Sequence, residues 1–172
     1  MPRYVALIRG INLGATNKVP MARLRTAVES LGHTDVTTHI QSGNVIFSSA
    51  GRVTSASLET MIASTFGIDT DVMLRTPAQL AKALHANPFP QADQARLHIG
   101  FMAARPPAAA VASLDAQRFL PEQFAIRGTE LYLHLPAGMG TTKLPAYLGR
   151  ILKVPTTIRT WRTVGALAEM SE

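Results

Sequence analysis

The order of strand-like and helix-like segments predicts an α+β chain made of two tandem ferredoxin-like (α/β plait) subdomains, each with an antiparallel four-stranded sheet carrying two helices. Three observations predict it. Residues 1–76 read β-α-β-β-α-β; residues 96–172 repeat that order; and each half holds two strand-like runs joined by a tight turn, at Gln41-Ser42-Gly43-Asn44 and at Gly128-Thr129. The halves share no visible sequence similarity, so the repetition is one of fold.

Residues 4–8 (Y-V-A-L-I) are apolar on both faces, which predicts a central strand. Pro20 suits a helix's first turn, Met21, Leu24, Val28 and Leu31 share its apolar face, and Gly32 is the stop. Residues 35–40, rich in β-branched side chains, and 45–48 form the hairpin. Leu58, Met61, Ile62 and Phe66 define a second amphipathic helix ended by Gly67, and 71–75 is a short fourth strand. Thr76-Pro77 opens a third helix with a Thr cap, Leu80 and Leu84 on its stripe, and Asn87-Pro88-Phe89-Pro90-Gln91 breaks it. Residues 77–95 are thus helix and linker between subdomain 1 (1–76) and subdomain 2 (96–172, with a C-terminal helix). In the second, 96–102 is a strand, 107–115 a helix, and 123–127 with 130–135 a hairpin. Residues 142–152 are helical with Pro145 in the first turn, 156–159 close the sheet, and 160–170 form the last helix.

A chain of 172 residues with 47% hydrophobic composition has enough apolar surface for a core. Its 17 basic and 11 acidic side chains leave a net charge of +6, which favours phosphate-rich or acidic partners. The absence of cysteine excludes disulfides, thiolate metal sites and cysteine nucleophiles. No signal-peptide pattern opens the chain, and no apolar run approaches the roughly eighteen residues of a membrane span, so a soluble cytoplasmic protein with no membrane contact is expected.

Antiparallel tracing of the first half brings the loop R-G-I-N-L-G-A-T-N-K at 9–18 to the same sheet end as the 41–44 turn. Arg9, Gly10, Asn12, Gly14, Asn17 and Lys18 then join Gln41, Ser42 and Asn44 in one candidate pocket of amides, a hydroxyl, glycine backbone and two positive charges. In the second half, the glycine-containing loop 136–143 ends in Lys143 and reaches the end where Arg159, Trp161 and Arg162 stand. Both ends predict binding of an anionic or phosphate-bearing ligand, a nucleotide or nucleic acid. Turn chemistry and helix capping, with Thr160 as the cap of the last helix, are the competing explanation.

Other chemistries find less support. The first loop has G-x-x-x-G with Lys18 four residues on, which is not a Walker motif. All eleven acidic residues lie outside these loops, which predicts no carboxylate at the site, no Mg²⁺ ligand and no acid/base pair. The histidines, 33, 39, 85, 98 and 134, have no metal-ligand spacing. No cofactor and no catalytic residue is assigned. Two alternatives stand beside ligand binding: a small-molecule transferase or hydrolase using His39 or Ser42 in the same pocket, and a structural module self-associating through free sheet faces. The signature of RNA-recognition modules is absent from 44–50, and Phe47 is expected in the core rather than under a base.

R-G-I-N-L-G at Arg9–Gly14, N-K-V-P-M at Asn17–Met21, I-Q-S-G-N-V at Ile40–Val45, N-P-F-P at Asn87–Pro90 and R-x-W-x-T-V at Arg159–Val164 resemble, in order and spacing, a bacterial domain of unknown function, family 1697. The resemblance implies two ferredoxin-like subdomains in tandem and no assigned activity. It also implies a glycine where Ala15 stands, which narrows this loop's freedom, and an asparagine where Thr160 stands. Thr160 can still cap a helix but removes an amide.

Overall fold

A computed structural model describes all 172 residues. The protein is α+β, with two four-stranded antiparallel sheets and six helices. Its strands are β1 (Arg3–Ile8), β2 (Thr34–His39), β3 (Asn44–Ser48), β4 (Val72–Arg75), β5 (Leu97–Met102), β6 (Gln123–Arg127), β7 (Glu130–His134) and β8 (Thr156–Thr160). The helices are α1 (Met21–Glu29), α2 (Ser55–Phe66), α3 (Pro77–His85), α4 (Ala108–Ala112), α5 (Leu144–Leu152) and α6 (Trp161–Met170). No helix is long and apolar enough to cross a membrane.

By packing, the chain divides into residues 1–82 with 165–172, and residues 83–164. The last helix is read from sequence as wholly part of the second half; its residues from Gly165 onward instead group with the first. Arg3 Nη1 donates to the Glu172 backbone oxygen at 3.0 Å within that unit.

In the first unit the strand order is β2-β3-β1-β4. Tyr4, Ala6 and Ile8 alternate with Val5 and Leu7, and the register Ala6↔Val45 and Tyr4↔Phe47 aligns the first set with Val45 and Phe47. That face packs on Leu24, Ala27 and Val28 of α1 and Leu58, Met61 and Ile62 of α2. Tyr4 stacks on Phe47, whose ring is fully buried, so neither aromatic forms a base-stacking platform. The opposite face is also covered: Val5, Leu7 and Ile46 have no exposure and Met73 has 1%. This first sheet therefore leaves no free face of the kind the self-association alternative invokes.

Local chemistry explains the helix ends. Thr54 Oγ1 caps α2 by accepting from Ser57 N (3.2 Å), and Gly67 ends it in the left-handed conformation. Thr76 and Gln79 exchange hydrogen bonds in a capping box that opens α3, as Thr76-Pro77 predicts. Helix α1 is shorter than its apolar spacing predicts: Ser30 is the C-cap and Leu31 is left 39% exposed.

The second unit has the order β6-β7-β5-β8. Its core joins Met102, Leu131 and Leu133 to Leu144, Tyr147, Leu148 and Leu152 of α5. Gly100 in the central strand has a packing reason, since a Cβ there would lie 3.1 Å from Thr156 Cγ2 and 3.2 Å from Leu131 Cβ. Helix α4 is five residues long, shorter than the span 107–115 predicts, with Pro107 as its N-cap.

Gly43 has φ +86°, and a Cβ on it would meet the Ile8 and Ile11 side chains at 3.0 Å. Gly43→Ala is expected to lower unfolding free energy by about 2–4 kcal/mol in urea titration. At Gly128 (φ +63°, nothing within 4 Å) the same change meets only backbone strain and costs about 1 kcal/mol. His33 and His98 each bury an Nδ1 without a hydrogen-bond partner. Burial holds both imidazoles below their usual range, with an Arg96 backbone hydrogen bond opposing this at His98. The unfolded chain therefore binds more protons, so stability is full above about pH 6.5 and falls as pH drops below it. The slope of unfolding free energy against pH between 6.5 and 5 should flatten in His98→Gln.

Candidate functional site

Strand β1 lies between β3 and β4, so three chain segments meet where it ends. Ile8 N donates to Gly43 O (2.8 Å) on one side, and Arg9 N donates to Asp71 O (3.0 Å) on the other. The 9–18 loop and the hairpin turn are brought together as the antiparallel tracing predicts. Asn12 joins them: its Nδ2 donates to Val19 O at 3.0 Å and Gln41 O at 2.8 Å, while its Oδ1 accepts from Val19 N at 2.7 Å. Asn17 Nδ2 donates to Gly10 O (3.2 Å), and Asn12 N donates to Asn17 O (2.9 Å). Asn44, fully buried, donates through Nδ2 to His39 O (3.0 Å) and Ser42 Oγ (2.8 Å).

These bonds revise the roles of the expected donors. The Asn12 and Asn44 amide hydrogens are spent inside the protein, so both residues shape the loops. Gly10, Asn12, Gly14 and Asn17 all have positive φ, at 69°, 54°, 58° and 51°. Asparagine tolerates that region better than most side chains, which is why these types stand there. Lys18 and the Gln41 side chain face solvent, and Leu13 and Ile40 are apolar neighbours left 66% and 54% exposed.

A third segment was missed. Asp71 Oδ2 lies 3.4 Å from Arg9 Nη1 in a half-exposed ion pair, and the Thr70 hydroxyl donates to Arg9 O. The expectation that no carboxylate stands near this loop is therefore corrected. The signal was available: an antiparallel fourth strand beside β1 must begin where β1 ends. Exposed as it is, the pair is worth about 1 kcal/mol or less.

The second unit brings the loop after β7 and the end of β8 to flank the start of β5, through the register His98↔Leu133 and His98↔Thr160. Lys143 is the N-cap position of α5 and Arg162 lies in the first turn of α6, both exposed, while Trp161 is half-buried. Arg159 does not face solvent with them. It is 8% exposed, its Nη1 donates to Thr157 Oγ1 (2.6 Å) and Ile158 O (3.1 Å), and burial lowers its pKa to about 10. Thr160 Oγ1 accepts from Thr163 N (3.2 Å), the capping role its position predicts. Sequence reasoning also missed Arg96, whose Nη1 would lie 3.1 Å from a Cβ on Gly138. No group of three or more His, Cys, Asp or Glu is placed to hold a metal.

A family model described as a protein of unknown function, DUF1697, matches residues 1–132. The chain belongs to this family. The match takes in the motifs at 9–14, 17–21, 40–45 and 87–90, whereas R-x-W-x-T-V at 159–164 lies beyond it. A solved structure of a conserved bacterial protein from Streptococcus pneumoniae is similar over 99% of this chain and 99% of that one, with 27% identity and a TM-score of 0.74. Nothing among curated proteins matches.

The first-loop geometry makes one prediction. Asn12→Ala removes three hydrogen bonds from a left-handed position and is expected to cost about 2–4 kcal/mol of stability with no ligand present. Asn12→Asp keeps the shape but turns a carboxylate towards two carbonyl oxygens. Its destabilisation should shrink as pH falls and the carboxyl regains a proton, which unfolding titrations at two pH values would measure.

Proposed function

We propose that the 9–18 loop of the first unit is a binding site for a phosphate-bearing ligand, a nucleotide or a nucleic acid, in a basic cytoplasmic protein. We further read each half as a ferredoxin-like plait, supported by the β-α-β-β-α-β order and by the same strand permutation in both sheets. One observation carries the ligand reading: the left-handed residues Gly10, Asn12, Gly14 and Asn17 recur through eight residues of loop. A backbone that alternates between left-handed and ordinary conformations turns successive N–H groups into a common concavity, which suits an oxyanion.

Lys18 supplies uncompensated positive charge at the loop's end, and Arg9 supplies more, partly offset by Asp71. The exposed Leu13 and Ile40 give the rim an apolar character. A nucleotide satisfies both features, with its phosphate on loop amides other than those of Asn12 and Thr16, which donate to Asn17 O and Leu13 O, and its base against the aliphatic rim. The loop is already braced by Asn12 and Asn17, so little ordering entropy opposes binding.

A thermal-shift series with mono- and dinucleotides, at low and moderate salt, tests this. A ligand at a hundredfold excess over its Kd should add about 2.7 kcal/mol of stability. The shift should shrink with salt and weaken in Lys18→Ala and Arg9→Ala, whose own folding is largely preserved because both side chains are exposed. Shifts that ignore salt and both substitutions would exclude the loop as the phosphate site.

A further inference from the structure

Outside the sites above, the second unit gathers two arginines on one tyrosine. Arg118, in the turn after α4, has its guanidinium carbon 5.1 Å from the Tyr147 ring centre and 5.4 Å from that of Phe119. The two rings are themselves 4.9 Å apart. Arg150, one turn along α5 from Tyr147, lies 5.8 Å from the same Tyr147 ring. The tyrosine is 6% exposed, and its hydroxyl accepts from Asp115 N at 2.9 Å, so the platform is fixed. Both arginines are exposed.

Neither guanidinium forms an ion pair. The acidic residues nearest Arg118 along the chain, Asp115 and Glu122, pair with neither arginine, and Asp115 Oδ1 accepts from Gln117 N (3.0 Å). A charge near a helix C-terminus has an ordinary explanation in the helix dipole, which covers Arg150 and the Lys153 cap. It does not cover Arg118, which belongs to no helix.

We propose that Arg118 and Arg150 form a contact surface for the phosphodiester backbone of single-stranded nucleic acid. Stacking on rings occupies the guanidinium faces and leaves N–H edges for phosphate oxygens, the planar fork geometry in which arginine exceeds lysine. Aromatic backing removes side-chain freedom before binding, so less is lost on contact. Two exposed guanidiniums gathered at one ring suit successive phosphates along a strand better than one enclosed phosphate. The buried tyrosine offers no face to a base, so the contact positions a strand without reading its sequence.

Fluorescence anisotropy of a labelled single-stranded oligonucleotide with the full chain, across 50–200 mM salt, tests the proposal. The double variant Arg118→Ala/Arg150→Ala should bind at least about tenfold more weakly. Its slope of log affinity against log salt should fall by about 1.4, the loss of two phosphate contacts on a single strand. A charge-matched control, Arg52→Ala/Lys82→Ala, should stay within about threefold of the parent. Arg9→Ala and Lys18→Ala should leave the Arg118/Arg150-dependent loss in place, which separates this surface from the first loop. No binding by the parent, or equal losses in the double variant and the control, would overturn the proposal. Competition by inorganic phosphate or a mononucleotide as effective, per phosphate, as that by unlabelled oligonucleotide would overturn the polymer assignment.

Discussion

The position of β1 governs the first unit. A strand buried on both faces must satisfy its backbone groups with neighbours on each side, and β1 does so with β3 and β4 through to its last residues. Where it ends, the pairing passes to Gly43 on one side and Asp71 on the other. Three segments distant in sequence are thereby held at one end without any contribution from a ligand. Asn12 then ties the outgoing loop to the turn, and Gly43 leaves the space that Ile11 fills. The central β5 has the same position in the second unit, where β7 and β8 flank it.

Much of this architecture is legible in the residues. The apolar run at 4–8 places β1 centrally, Gly43 and Gly128 mark turns that need positive φ, and Thr76-Pro77 marks a helix start through a capping hydroxyl. The misreadings have physical causes. Leu31 continues the helical spacing of α1, but Ser30 and Gly32 end the helix first, and Ser30 Oγ donates to Ala27 O at 2.6 Å. Local chemistry at a helix end prevailed over periodicity. Gly165 onward follows α6 continuously from the second half, so a linear reading assigns it there; only packing divides it.

The candidate site was legible as a meeting of loops and less so as chemistry. Asn12 and Asn44 are donors on paper, yet a buried or strained backbone consumes such donors before any ligand arrives. Arg159 shows the corresponding effect for charge. Its alternation in β8 puts it on the same face as Thr157, and that face is buried, so the side chain turns inward to hydroxyl and carbonyl oxygens. Arg118 and Arg150 are the reverse case. Nothing in their spacing links them, and only the tertiary position of Tyr147 does.

Ile40 shows how the loop end can hold an unfavourable conformation. A β-branched residue at φ +51° is disfavoured by about 1–3 kcal/mol, and with its side chain 54% exposed Ile40 recovers little by packing. Its neighbours are fixed: His39 pairs with Asn44 in register, and the Asn44 amide spans from His39 O to Ser42 Oγ. Two such bonds from a fully buried amide contribute about 1–3 kcal/mol, enough to offset the strain. The turn is thus maintained by hydrogen bonds made beneath it, and the aliphatic side chain is projected outward beside Gln41. Strain of this kind is compensated locally by the buried amide and not relieved by burial of the strained side chain itself.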